Sequence, residues 1–147
     1  MTTEPGKIFE RCFPNQPEDL SRVTAEAMRF LEDSPIGAQA LYVANLTVEE
    51  MGTNIIKYGY DDTAVHEILL SLKLLPTSLL VVLEDDGHEF NPLNWPDPQV
   101  NLPPEQRSPG GLGVHLVRKL AEEMTYVRST GRNRLTVKIR SNPSGKG

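Results

Sequence analysis

The chain has 147 residues, of which 38% are apolar, a length and composition typical of one domain with a single core. Its formal net charge of -5 and the absence of a long Lys/Arg run exclude a general nucleic-acid-binding surface. The longest apolar stretch, Leu79–Leu83, is too short to cross a membrane. The single cysteine, Cys12, excludes an internal disulfide, and the first residues lack the features of a signal peptide, so we expect a cytoplasmic protein.

The first half of the chain predicts one strand followed by two helices. Residues 7–13 have the mixed polarity of a strand at a sheet edge. The segment Asn15–Asp19 combines a capping side chain, an early proline and two acids, which is typical of a helix start, and Ser34-Pro35 ends that helix. A second helix is predicted from about Gly37 to Tyr58, because its apolar residues recur at steps of three and four: Leu41, Ala44, Val48, Met51 and Ile55.

The second half of the chain predicts four strands and one helix. These are a hairpin of strands Glu67–Leu75 and Ser78–Asp85, a helix from Val114 to about Glu123, and strands near Thr125–Ser129 and Leu135–Arg140 that flank a turn at Thr130–Asn133. This order predicts an α+β fold: a two-layer α/β sandwich in which about three helices cover one face of a mostly antiparallel, mixed sheet. We expect residues 1–147 to form one domain with a core from about 7 to 140.

The stretch from Asn91 to Pro109 predicts a lid rather than a regular element. It contains six prolines, at positions 92, 96, 98, 103, 104 and 109, and proline interrupts both helices and strands. A loop of this length inside a compact domain is typically functional. We therefore expect residues 91–109 to cover a site.

Three polar residues share one face of the second helix, at steps of four and three: Glu50, Asn54 and Lys57. The side-chain oxygen of Asn54 suits Mg²⁺, which takes few protein ligands when phosphates supply the others. Glu50 lies one turn away, about 6 Å in such a helix, where it could accept a proton from a hydroxyl or water. The alternative is a solvated helix face with a Glu–Lys pair, and the spacing alone favours that alternative.

Asp85 follows an apolar strand and precedes Asp86-Gly87. A carboxylate in this place can accept a hydrogen bond from an exocyclic amine such as that of adenine, and Gly87 would let a flat ring approach the backbone. The alternative is a tight turn, because Asp-Gly is a common turn pair. Taken alone, the turn is the better interpretation.

The run Gly110-Gly111-Leu112-Gly113 opens the third predicted helix. Backbone N–H groups at a helix start can bind an anion when glycines keep side chains away, and Arg107 could add positive charge. The run is neither a P-loop nor a dinucleotide-binding fingerprint, since no Gly-Lys-Ser/Thr follows and no strand leads directly into it. A flexible hinge before a helix remains an alternative, and Arg107 could equally be a solvated surface residue.

Together these segments resemble the N box and the two glycine boxes of the GHKL ATPases, over about Lys7 to Arg140. The similarity is greatest to the small anti-sigma factor serine/threonine kinases, also called switch-protein kinases. It is carried by the helix segment Glu50–Asn54, by Asp85–Pro92 with its Phe-x-Pro ending, by Gly110–Leu120 and by the hairpin Gly131–Val137. Two positions differ from the pattern: Tyr58 stands where histidine is common, and Glu89 replaces a second glycine.

The resemblance implies a Bergerat-type fold that binds ATP and Mg²⁺. It implies that Glu50 is the general base, that Asn54 is the magnesium ligand and that Asp85 binds the adenine amine, with Gly87 beside it. It also implies that Gly111 and Gly113 contact the phosphates, with Lys57 near them. The other residues that we expect to bind the nucleotide are Arg107, Gly110 and Leu112.

The resemblance further implies a bacterial, cytoplasmic protein kinase that phosphorylates a serine or threonine of a small anti-anti-sigma protein and sequesters a sigma factor. We expect no direct contact with nucleic acid or membrane. We do expect a homodimer. Two alternatives stay open at this point: an ATP-binding regulatory module without kinase activity, and the detached ATPase domain of a sensor histidine kinase.

Overall fold

The structure is a computed structural model that describes residues 7–94 and 111–141. Within these two ranges, three helices and five strands form an α+β fold, as predicted. The helices are α1 (Pro17–Glu32), α2 (Ala38–Tyr58) and α3 (Gly111–Leu120). The strands are β1 (Ile8–Pro14), β2 (Glu67–Leu74), β3 (Ser78–Asp85), β4 (Glu123–Ser129) and β5 (Arg132–Arg140), and a short 3-10 turn spans Pro92–Asn94.

The strands form one sheet in the order β1-β2-β3-β5-β4, and each of the four neighbouring pairs is antiparallel. The predicted mostly antiparallel sheet, with its first strand at an edge, is therefore confirmed. The crossover matters for function, because β5 follows β4 in the chain but lies beside β3. It places Asn133 of β5 directly opposite Asp85 of β3.

One face of the sheet and the inner faces of the helices form a single core. Alternate residues of the strands point into it, among them Ile68, Leu70 and Leu72 of β2, each with no exposed surface. Helix α2 is buried over a wide arc because it packs against the sheet and between α1 and α3. None of the three described helices combines the length and apolar character that a membrane span requires.

The ends of two helices differ from the prediction. The expected side-chain cap of α1 is absent, because Gln16 occupies the capping position without a side-chain bond. Asn15 instead accepts a hydrogen bond from the backbone N–H of His66 at 2.9 Å, which ties the helix start to β2. Helix α3 begins at Gly111, three residues before the predicted start at Val114, and ends at Leu120.

The last hairpin turns on two residues rather than four. Thr130 and Gly131 have positive φ angles of 51° and 78°, the backbone conformation of a tight hairpin turn whose twist suits the two strands. Arg132 and Asn133, predicted to be part of the turn, instead begin β5. Asn133 is consequently a buried strand residue.

Candidate functional site

Helices α2 and α3 bring Glu50 against the second glycine box. A methyl group added at Gly113 would overlap the carboxylate of Glu50 and lie 2.8 Å from its Cγ. Since real side chains do not approach that closely, only glycine fits at this point of α3 while Glu50 keeps its position. The residues predicted to be the base and a phosphate contact therefore touch.

Asn54 lies one helical turn beyond Glu50 and is only 5% exposed. Its Nδ2 is buried and has no hydrogen-bond partner among the described residues. Such buried polar atoms are few in native proteins, and leaving one unpaired costs about 1–3 kcal/mol. The solvated-face alternative therefore does not describe Asn54, although Lys57, three residues later, is exposed as that alternative requires.

Asp85 ends β3 in the interior, 3% exposed, and is held by the loop that follows it. Its Oδ2 accepts hydrogen bonds from the backbone N–H of Gly87 at 2.8 Å and from Nδ2 of Asn133 at 3.1 Å. No described residue donates a hydrogen bond to its Oδ1. One carboxylate oxygen thus holds the loop, while the other is left to accept a further donor.

Burial raises the pKa of the Asp85 carboxyl above its ordinary value, because the charged form is poorly solvated there. The hydrogen bonds from Gly87 and Asn133 act in the opposite direction and favour the carboxylate, but burial has the larger effect. A group that costs folding energy in this way is typical of a functional site.

Gly87 is required by a close approach between the first glycine box and the end of α2. A methyl group at Gly87 would overlap the carbonyl oxygen of Gly59 and lie 2.9 Å from Oδ2 of Asp85. The backbone N–H of His88 donates to that same carbonyl at 2.8 Å. The loop after Asp85 is therefore locked against α2 through its backbone.

A small cavity of about 20 Å³ lies next to Asp85, room for about one water molecule. Met51 and Ile55 of α2 line one side, and Phe90 and Pro92 line another. An adenine ring is several times larger than this space. Its binding would require a wall to move, and in the wall formed by Phe90 and Pro92 the second residue belongs to the start of the predicted lid.

An open groove of about 330 Å³ lies on the other side of Glu50, between α1 and α2. Lys57 and Thr53 of α2 line it together with Glu50, and Ser21 and Thr24 line it from α1. Glu50 therefore borders both the groove and Gly113. Lys57, predicted to lie near phosphates, lines the groove.

The remaining predicted residues lie at or beyond the start of α3. Leu112 is on the first turn and is 55% exposed. Gly111 is the first residue of the helix. Arg107, Gly110 and the lid from residue 95 onward lie outside the described residues, and only residues 91–94 of the lid are described.

Three polar residues that the sequence analysis did not single out surround Asp85. Asn133 bonds to it directly, and the hydroxyl of Tyr126 and the guanidinium of Arg128 both donate to Oδ1 of Asn133. The strand register that brings them together is the β3–β5 pairing, which cannot be read from the local sequence. The sequence offered one indication: Asn133 is in step with the alternating apolar residues of β5, at a position where an apolar residue is expected.

The described side chains fit magnesium and a nucleotide in two respects. No cluster of three or more His, Cys, Asp or Glu side chains among them could hold a metal alone. An ion held by one amide oxygen and by phosphates, an arrangement that Mg²⁺ commonly adopts with nucleotides, needs no such cluster. Asn54, whose buried Nδ2 has no described partner, is one helical turn from Glu50, and the backbone at Gly113 lies against the Glu50 carboxylate, where such groups could bind.

Comparison with known proteins identifies the family. Residues 13–139 match the histidine kinase-like ATPase domain. The chain belongs to this family. The predicted relationship to GHKL-type ATPases is therefore confirmed, and ATP binding, typically with Mg²⁺, is the property that a histidine kinase-like ATPase domain implies.

Two relatives extend the comparison. The chain is 24% identical over 106 residues to the serine/threonine-protein kinase BtrW of Bordetella bronchiseptica, covering 72% of this chain and 75% of that protein. It superposes with a TM-score of 0.66 and 13% identity on the crystal structure of the RsbU and RsbW domains of Rv1364c from Mycobacterium tuberculosis, over 91% of this chain. The chain spans only 32% of the length of that solved chain.

The contact between Glu50 and Gly113 can be tested through stability. In a Glu50→Ala background, Gly113→Ala should raise the free energy of unfolding by up to about 1 kcal/mol, because alanine favours helix over glycine. With Glu50 present, the added methyl must displace the carboxylate, so the gain should vanish or turn into a loss. Denaturant unfolding of the four proteins measures this coupling. An equal gain in both backgrounds would mean that the contact is absent.

Proposed function

We propose that this histidine kinase-like ATPase domain is an ATP- and magnesium-dependent protein serine/threonine kinase that also acts as an anti-sigma factor. The observation that carries the proposal is the position of Glu50. Its carboxylate lies against Gly113, and the residue also lines an open groove between α1 and α2. A base placed between a phosphate site and an open groove suits transfer to a hydroxyl of another protein.

Each role in this reaction is proposed for one residue of the site. Oδ1 of Asp85 would accept a hydrogen bond from the amine of adenine, and the backbone at Gly113 would lie along the phosphates. Asn54 offers its amide oxygen to Mg²⁺. ATP would supply the γ-phosphoryl group, and Mg²⁺ held by Asn54 would neutralise charge on the phosphates. Glu50 would accept the proton of the serine or threonine hydroxyl. The hydroxyl oxygen would form the new bond to the γ-phosphorus as the bond from that phosphorus to the β–γ bridging oxygen breaks, and ADP would leave.

The relatives support the choice of a protein substrate. BtrW is a serine/threonine-protein kinase, and the match to it covers about three quarters of either chain. The fold is shared with a structure that contains an RsbW domain. For this chain we propose a small anti-anti-sigma protein as the phosphate acceptor and a sigma factor as the sequestered partner, in the bacterial cytoplasm, with the kinase as a homodimer. Phosphorylation would add charge at the interface with the antagonist and release it.

A transfer assay tests the kinase activity. The purified chain is incubated with γ-labelled ATP, Mg²⁺ and recombinant candidate antagonist proteins. We expect acid-stable label on a serine or threonine of one antagonist. Acid-labile label on a partner would instead indicate a sensor histidine kinase ATPase domain. ATP binding without transfer to an antagonist that forms a complex with the chain would indicate a sequestering module.

Asn54→Ala should weaken the magnesium dependence of ATP binding while leaving the unliganded fold intact. The substitution removes an amide whose Nδ2 is already unpaired, so it breaks no described hydrogen bond. Calorimetric titration with ATP, with and without Mg²⁺, should show the enhancement by Mg²⁺ reduced about tenfold or more, the effect of one lost ligand contact.

Asn45→Ala is the matched control for Asn54→Ala. Asn45 lies earlier on α2 and carries a buried Oδ1 that is also unpaired among the described residues. It lies nine residues, about two and a half helical turns, before Asn54, so its removal should leave the magnesium dependence unchanged. If Asn45→Ala and Asn54→Ala behave alike, the proposed role of Asn54 as metal ligand is wrong.

A further inference from the structure

Asn133 forms the centre of a hydrogen-bond network around Asp85. Its Nδ2 donates to Oδ2 of Asp85 at 3.1 Å and to the backbone carbonyl of His88 at 2.6 Å. Its Oδ1 accepts from the hydroxyl of Tyr126 and from Nη1 of Arg128 at 3.0 Å. Both donors and both acceptor positions of the amide are therefore used, and the side chain is only 4% exposed.

The chemistry of its neighbours fixes which way this amide faces. A guanidinium has no acceptor, so the atom that faces Arg128 must be the oxygen of Asn133. The hydroxyl of Tyr126 accepts a hydrogen bond from the backbone N–H of Phe90 at 3.2 Å and is free to donate to the same oxygen. A flipped amide would place N–H groups against the guanidinium of Arg128 and leave the carbonyl of His88 without its donor.

The orientation of Asn133 in turn fixes the orientation of Asp85. The N–H of Gly87 and the Nδ2 of Asn133 converge on the same oxygen, Oδ2. Oδ1 is thereby held as the carboxylate oxygen without a donor among the described residues. Asn133 and Asp85 also line the same cavity. The site consequently presents a fixed acceptor and no competing donor from this pair.

We propose that Asn133 is a positioning residue that determines base selectivity: it holds Asp85 so that the site selects a purine with an amino group at carbon 6 over one with a keto group there. This inference rests on the proposed ATP site and assigns it a residue outside both glycine boxes. An amino group donates to the fixed acceptor, whereas a keto oxygen faces it without a proton between them. Arg128 strengthens the arrangement, since it also donates to the carbonyl of Gly87 at 2.7 Å.

The test compares the dissociation constants of Mg-ATP and Mg-ITP, which differ at carbon 6 of the purine. Titrations are made on the wild type, Asn133→Ala, Asp85→Asn and the double variant. We expect the wild type to prefer ATP by about tenfold or more, the effect of one hydrogen bond exchanged for an unpaired acceptor. Asn133→Ala should reduce this preference at least about fivefold. In the Asp85→Asn background, Asn133 would hold the new amide in place of the carboxylate, so Asn133→Ala should weaken the reversed preference for ITP instead of the preference for ATP.

A role of Asn133 in stability alone would give a different result, since both nucleotides would then weaken together and the ratio would stay constant. That result would overturn the proposal even if Asn133→Ala unfolds more easily. If Asn133→Ala does not fold, Tyr126→Phe removes one of the two donors that orient the amide and should lower the ratio in the same direction. An unchanged ratio in Tyr126→Phe would then contradict the proposal.

Failure of the underlying function is separable from failure of this inference. If the wild type binds neither ATP nor ITP, the proposed nucleotide site is wrong and the inference falls with it. If the wild type prefers ATP, Asp85→Asn loses that preference and Asn133→Ala keeps it, the site stands and only the role of Asn133 is refuted.

Discussion

Asp85→Asn should weaken Mg-ATP binding by about 10- to 100-fold and reverse the preference between ATP and ITP. The amide oxygen of the new side chain can take the place of Oδ2 and keep both bonds, from Gly87 and Asn133. Its Nδ2 then occupies the place of Oδ1 and presents a donor to the cavity. A donor opposes the amine of adenine and suits the keto oxygen of ITP.

The same substitution should stabilise the unliganded protein at neutral pH, because it removes a buried charge. The pKa of Asp85 is raised from its ordinary value of 3.8 by burial, so the folded state binds this proton more tightly than the unfolded state. Wild-type stability therefore falls as pH rises from about 3.8 through the folded pKa, and the full penalty remains above it. Asp85→Asn has no carboxyl at this position, so its stability does not fall in this way as pH rises.

Denaturant unfolding between pH 3 and pH 8 measures the difference between the two proteins. The advantage of Asp85→Asn should be largest at neutral pH and should shrink as pH falls toward the ordinary value of the carboxyl. A variant that is less stable than the wild type at neutral pH, yet binds ATP equally well, would show that Asp85 is a structural residue rather than the adenine contact.

Glu50→Gln should lower the rate of phosphate transfer by about 100- to 10,000-fold, the contribution typical of a general base. Glutamine keeps the shape of the side chain over Gly113 but cannot accept the hydroxyl proton. ATP affinity should change by less than about threefold, since the proposed adenine and magnesium contacts come from Asp85 and Asn54. Single-turnover transfer with labelled ATP, together with a separate binding titration, distinguishes the two effects.

Glu49→Gln is the matched control for the base. Glu49 is the neighbouring residue on α2, carries the same charge, lines the same groove and is exposed. No contact places it against Gly113, so its substitution should leave the transfer rate within about twofold of the wild type. Comparable losses in both variants would indicate that the groove needs negative charge in general and that Glu50 is not the base.

The strands and the long helices were predictable from the sequence because each has a strong repeating pattern. Apolar residues alternate along β2, and they recur at helical steps along α2, so burial and local geometry agree. The start of α3 was less predictable. Glycine favours loops, but here Gly111 and Gly113 are helical, and Glu50 of α2 leaves no room for a side chain at Gly113. A contact between distant segments has no local signal.

The sequence predicted which residues form the candidate site, but it did not predict what surrounds them. Asn54 was placed on a polar face by its spacing, yet its side chain is buried, whereas Lys57 on the same face is exposed. Asn133 was predicted to lie in a turn, because the two-residue turn at Thr130 and Gly131 could not be separated from its neighbours. Its position opposite Asp85 depends on the β3–β5 pairing, which the sheet order sets.

The structure of the chain with Mg²⁺ and a non-hydrolysable ATP analogue tests the central claim most directly. We predict the adenine amine at about 2.8–3.2 Å from Oδ1 of Asp85, and Mg²⁺ at about 2.1 Å from Oδ1 of Asn54. The terminal phosphate should lie against the backbone at Gly113, within reach of Glu50. An analogue bound with its base away from Asp85, or a metal ion that does not contact Asn54, would contradict the account.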